Sequence, residues 1–171
     1  MRRKFTVELS EKGIDNAIKE LNEYKRDFIK KTELFHQKVA EYVAKECEHG
    51  FSCAIVDDTI NAEPRYAHVD ISLSKSGDTI AVIADGQDAV WVEFGAGVYH
   101  NGSVGQSPNP NGAELRFTIG SFGPNGSKKT WGYYDAGDLI LTHGTEARMP
   151  MANAITSVCN DISKIAKEVW R

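Results

Sequence analysis

Phe5, Val7 and Leu9 alternate with Thr6, Glu8 and Ser10, the two-residue period of a short half-buried strand. Gly13 then stands where an N-cap is expected, and Asp15 falls in a first turn, where the helix dipole favours an acid. Beyond it Ile14, Leu21, Phe28, Phe35 and Tyr42 recur every seven residues, and Ile18, Tyr24, Val39 and Val43 widen the stripe. Lys19, Glu20, Lys25, Arg26, Lys30, Lys31 and Glu33 lie between them. This spacing predicts an amphipathic helix ending near residues 48–50, about 50 Å long if straight. The stripe is expected to pack on the chain's own sheet. The alternative is that part of the helix projects and meets another subunit.

Residues 51–56, Phe-Ser-Cys-Ala-Ile-Val, can either extend the helix or open a strand, and Pro64 marks a break. Val69, Ile71 and Leu73 alternate with His68, Asp70, Ser72 and Ser74. Lys75-Ser76-Gly77-Asp78 reads as a turn and residues 79–84 as the second arm of a hairpin. Next comes Ala89-Val90-Trp91-Val92-Glu93-Phe94-Gly95-Ala96-Gly97, apolar residues around one acid and then two glycines. That density predicts a short helix running into a glycine corner, where a side chain would block the turn.

Between residues 98 and 138 the chain is rich in turn signals: Asn101-Gly102, Asn111-Gly112, Asn125-Gly126, Pro108, Pro110 and Pro124. Brief strands are expected at 114–119 and 131–134. A stretch of this kind inside a compact domain usually serves binding or assembly. Phe117, Phe122, Trp131, Tyr133 and Tyr134 argue against a disordered linker, which is poor in aromatics, and mark candidate assembly contacts. Leu139-Ile140-Leu141 reads as a short buried strand. Pro150 suits the first position of a final helix. Met151, Ile155, Val158, Ile162, Ile165, Ala166 and Val169 form its core face, with Asn153, Ser157, Asn160, Lys164, Lys167 and Glu168 toward water. The expected class is therefore α+β. A small antiparallel sheet is packed by a long N-terminal and a C-terminal helix, with a long irregular loop at about 98–138, in one domain over residues 1–171.

Composition adds limits rather than direction. The 171 residues are 41% hydrophobic and 26% charged, ordinary for a soluble globular chain. The net charge of −4 argues against gripping nucleic acid by its phosphates. Cys47, Cys53 and Cys159 are odd in number and lack CxxC spacing, so neither a disulfide framework nor a zinc knuckle is expected. No apolar run approaches the roughly 20 residues of a membrane span. The basic start, Met1-Arg2-Arg3-Lys4, precedes no signal-peptide core. A soluble chain made in the cytoplasm is expected.

Candidates for catalysis are few. Glu93 with His100 and His143 suggests an acid–base or metal site, but the chain has no HExxH and no His pair at helical spacing. Cys47, with Glu46, Glu48 and His49 around it, sits in a helix stripe and is expected to fill core. No cofactor or metal is implied. Glu93 is expected instead to be a structural latch. As a carboxylate at a glycine corner it would accept backbone N–H bonds, with Thr142-His143-Gly144-Thr145 as the candidate donors.

Three segments carry a resemblance. Residues 92–99 (Val-Glu-Phe-Gly-Ala-Gly-Val-Tyr), residues 130–134 (Thr-Trp-Gly-Tyr-Tyr) and Thr142-His143-Gly144 followed by Met149-Pro150-Met151 and Ala154 resemble the tail-component family of HK-type siphophages. These are small neck or tail-completion proteins of long-tailed bacteriophages and prophages. Ala96 stands where many relatives carry Thr. The resemblance implies a non-enzymatic virion protein whose motif residues are Glu93, Phe94, Gly95, Gly97, Thr142, His143, Gly144 and Pro150. It implies a ring of copies, expected to be a hexamer, that joins the tail tube to the head-side connector. DNA would pass through without specific binding, and no membrane is involved. Two other classes remain: a small hydrolase or metal-dependent enzyme using Glu93 and His143, and a cytosolic binding module.

Overall fold

The computed structural model describes residues 6–57, 59–97, 107–112, 114 and 130–171. Its longest element is helix α1, Glu11–Ser52, whose 42 residues extend about 63 Å. It begins earlier than the sequence suggests. Ser10, not Gly13, is the N-cap, and its hydroxyl accepts the Gly13 N–H at 3.1 Å. The strand expected around Phe5–Leu9 does not form over the described residues 6–10. Leu9 is fully exposed there, with no neighbouring strand to make its alternation useful.

The far end of α1 reaches into the core. Phe51 and Ser52 complete the helix, and β1, Ile55–Val56, follows and pairs antiparallel with β2, Arg65–Tyr66. Residues 51–56 therefore do both things their composition allows. The hairpin of β3, Asp70–Ser76, and β4, Thr79–Asp85, forms as expected, with Ile71 opposite Ala84 and Leu73 opposite Val82. Helix α2, Gln87–Phe94, leads into β5, Ala96–Gly97. After the loop region come β6, Trp131–Asp135, and β7, Asp138–Thr142, paired as a second hairpin, then β8, Gly144–Thr145, which pairs with β5. Helix α3, Pro150–Trp170, closes the fold. The architecture is α+β. Its strands form small two-stranded antiparallel ladders rather than one continuous sheet among the described residues.

Cys47 and Phe51 of α1, Val56 of β1, Ala89 and Val92 of α2 and Ala154 of α3 form the buried centre. Val69, Ile71, Val82 and Ala84 of the first hairpin pack against it. Helix α3 runs back antiparallel along α1. Cys47 Sγ meets Met151 Sδ at 3.2 Å, Tyr42 bonds Asp161 at 3.0 Å, Lys38 pairs with Glu168 at 3.2 Å, and the Phe35 and Trp170 rings lie 5.2 Å apart. The α3 stripe is rotated by roughly 50° from the expected one. Pro150, Ala154, Val158, Ile165 and Val169 are buried, while Ile155 and Ile162 are exposed. Leu139 is likewise exposed, so β7 is buried only toward Thr142.

Gly50 explains how closely the helices cross. A Cβ at this position would sit 2.6 Å from Pro150 Cβ and 3.3 Å from Pro150 Cα. Alanine would gain up to about 1 kcal/mol of helix propensity, whereas overpacking a tight contact costs about 1–3 kcal/mol. Pro150 opens α3 and has little room to retreat, so the clash should win. Gly50→Ala is expected to lower the thermal midpoint by a few degrees; a raised midpoint would show that the helices have room to part.

Candidate functional site

The acid singled out by the sequence sits at a junction of three segments. Glu93 lies in the last turn of α2, on the same side as buried Asp88, Ala89 and Val92, and is itself only 8% exposed. Gly95 ends the helix at φ +81°, ψ 160°, a conformation closed to side-chain-bearing residues, and its N–H returns to the Trp91 carbonyl at 2.8 Å. The glycine corner is therefore present, and it sends the chain directly into β5.

The partners of the Glu93 carboxylate are the first amides of α3. Met151 N donates to Oε2 at 2.8 Å and Ala152 N to Oε1 at 3.1 Å. Asn109 Nδ2 adds a third bond to Oε1 at 2.8 Å, and the same nitrogen lies 3.3 Å from the Glu93 carbonyl. The preceding residue reinforces the junction: the Val92 carbonyl accepts from Arg148 N at 2.8 Å and Met149 N at 3.3 Å. Helix α3 needs this arrangement. Its N-cap residue, Met149, has a left-handed backbone and gives no side-chain cap, and Pro150 supplies no N–H. The first amides would otherwise be orphaned, and the positive end of the helix dipole would face apolar core. A carboxylate from another helix meets both needs.

The expected donors, Thr142-His143-Gly144-Thr145, are occupied otherwise. Gly144 and Thr145 form β8 against Gly97 and Ala96, and Gly144 N donates to Thr142 Oγ1 at 2.8 Å. That segment holds the glycine corner through strand pairing, and the acid reaches past it to α3. The latch thus joins different segments from those predicted. Phe94 contributes its carbonyl, which accepts from Ser107 Oγ, and Pro150 is buried at the head of α3. Thr142 is fully buried and His143 half-buried.

Of the candidate assembly aromatics, Tyr134 is 77% exposed, and Tyr133 is half-buried with its hydroxyl 3.3 Å from Asp57 Oδ2. Phe117 and Phe122 lie outside the described residues, as do His100 and, apart from Glu114 in a turn, the strand expected at 114–119; Trp131 lies in β6. Among the described residues, no three His, Cys, Asp or Glu side chains are grouped to hold a metal ion. No described helix is long and apolar enough to cross a membrane.

Asn109 and the Arg65–Asp88 pair are absent from the sequence-based candidates. Asn109 is 3% exposed, and its Oδ1 also accepts the Asn111 N–H at 2.9 Å, so one amide side chain ties the loop to the acid. The only hint was its position between Pro108 and Pro110. Asp88, in the first turn of α2, accepts from both Arg65 guanidinium nitrogens at 2.9 and 3.2 Å and from His68 N at 3.0 Å. Burial works to raise the Asp88 carboxyl. The Arg65 and His68 bonds and the Arg65 charge outweigh it and hold the carboxyl below its ordinary range. Arg65 and Asp88, with Asp57 and Trp91, line a cleft of about 470 Å³. Cys47 is fully buried beneath the junction. Burial, then the nearby Glu93 and Glu46 charges, push its thiol up to about 11, which suits a core-filling residue and not a nucleophile.

Loss of the clasp should be measurable. Glu93→Ala leaves the Met151, Ala152 and Asn109 donors without their acceptor, at about 1–3 kcal/mol for each group that water cannot reach. A loss of roughly 2–5 kcal/mol in chemical denaturation is expected, with Glu93→Gln intermediate because it keeps one oxygen. Stability unchanged in Glu93→Ala would mean that α3 does not depend on this acid. Comparison of the chain with protein-family models, with curated proteins and with solved structures finds no match.

Proposed function

We propose that this chain is a structural subunit of a long-tailed phage neck, a tail-completion or head–tail joining component that works by assembling rather than by catalysis. The observation that carries the reading is the bond between two of its three motif segments. The acid of Glu93-Phe94-Gly95-Ala96-Gly97 caps the helix that begins in Met149-Pro150-Met151. Two of the three segments that carry the resemblance to the siphophage tail-component family are thus the two sides of one junction. The order of long helix, hairpin, acid–glycine segment, loop region and C-terminal helix also agrees with that family's, whose N-terminal strand has no counterpart over residues 6–10.

One feature suits a subunit that meets its own copies: Tyr134 stands exposed on the second hairpin. A ring, expected as a hexamer, would place the chain between tail tube and head-side connector, with DNA passing unbound. The net charge of −4 suits such an opening, because a strongly basic lumen would hold phosphates.

A phage or prophage lacking this chain tests the reading. Electron micrographs of its lysates are expected to show filled heads and tails that fail to join. Resupplying the intact chain should restore joined particles, and resupplying one without residues 101–128 should not. Normally joined particles in its absence would remove the chain from the neck.

A further inference from the structure

From residue 18 to residue 30 every position of α1 is exposed. Helix α3 ends alongside Phe35, and the tip of the first hairpin reaches only as far as Phe28 and Ile29. About 25 Å of helix, residues 11–27, therefore stands clear as an arm. It is not a solvated face. Ile14, Ile18, Leu21 and Phe28 fall on one stripe and are each 47–52% exposed. The four-, three- and seven-residue steps between them are those of a coiled-coil seam, in which each position needs a facing helix.

We propose that this arm pairs antiparallel with the same arm of a second copy of the chain. Charge selects both partner and direction. Residues 11–23 carry four acids and two bases, and residues 24–33 carry four bases and two acids. Laid antiparallel on itself, the acidic half of each arm meets the basic half of the other, and the two helix dipoles oppose. Laid parallel, like halves meet. Lys25, the seam position between Leu21 and Phe28, would also face its own copy. In the antiparallel pair, with Ile18 opposite Phe28, Lys25 lies opposite Leu21 and its stem can cover the leucine. The same register sets Ile14 of each copy opposite Thr32 of the other. There a cavity of about 430 Å³, lined by Phe28, Ile29, Thr32 and Ile80, lies between α1 and the hairpin tip. Each arm thus brings an isoleucine to a hollow in the other.

Such a two-fold contact closes on itself and cannot propagate around a ring. It therefore describes the free subunit, and its failure would leave the neck reading untouched. Sedimentation equilibrium of the full chain over a micromolar concentration series is expected to give twice the 18.9 kDa monomer mass. Leu21→Asp should return the monomer mass, with the thermal transition of the core retained. Direction is read from spin labels on Lys12→Cys in a Cys53→Ser, Cys159→Ser background. The antiparallel pair separates the labels by roughly 35 Å, and a parallel pair by roughly 10–15 Å. Four results overturn the proposal: a monomer at every concentration, a dimer indifferent to Leu21→Asp, the short label distance, or a monomer that instead floats with phosphatidylserine vesicles.

Discussion

The bond that the rest of the structure depends on is the one between the Glu93 carboxylate and the first free amides of α3. Most helices begin on a Ser, Thr, Asp or Asn that caps them locally, as Ser10 does for α1. Helix α3 begins after a left-handed Met149 and a proline, and it takes its cap from another helix some 58 residues earlier in the chain. A local cap fixes only a helix end. This one fixes the position of one helix against another, and with it the crossing of α3 over α1 at Gly50 and Pro150.

Several arrangements follow from that junction. The Val92 carbonyl and the Glu93 side chain together hold both the approach to α3 and its first turn. Gly95 then turns the chain so that β5 pairs with β8, while Asn109 fastens the returning loop to the same carboxylate. On the opposite end of α2, Asp88 holds Arg65 and His68 N, which anchors the start of the first hairpin. Buried residues cluster at this end and continue along the contact of α1 with α3 only as far as Ala40 and Val169. Burial therefore ceases well before α1 does. The arm is the part of the long amphipathic helix that this core cannot cover, so its apolar stripe, Ile14, Ile18, Leu21 and Phe28, stays exposed.

Elements with a long, regular period were legible from the residues alone. The seven-residue recurrence from Ile14 to Tyr42 foretold α1, the alternation of residues 69–84 foretold the first hairpin, and the dense apolar run with glycines foretold α2 and its corner. Short patterns misled. Phe5-Val7-Leu9 alternates, but alternation over so few positions has no meaning without a paired strand. In α3 the apolar residues span a wide arc, and periodicity cannot say which edge of that arc turns inward. Contact with α1 chose the Ala154 side and left Ile155 and Ile162 outside. The latch role of Glu93 was inferable from the difficulty of burying an unpaired acid, but its donors were not. Met151 and Ala152 become donors only because α3 starts without a cap of its own, a fact of tertiary structure. Asn109 and Asp88 escaped for the same reason, since each is defined by partners distant in the chain.

The central claim concerns two backbone amides, and hydrogen exchange reads them directly. First-turn amides of a helix have no intrahelical acceptor and ordinarily exchange among the fastest. If Glu93 holds α3, the Met151 and Ala152 amides of the unmodified protein should exchange as slowly as the amides of the α1 segment packed in the core. Rapid exchange at both positions, with the middle of α3 still protected, would contradict the account.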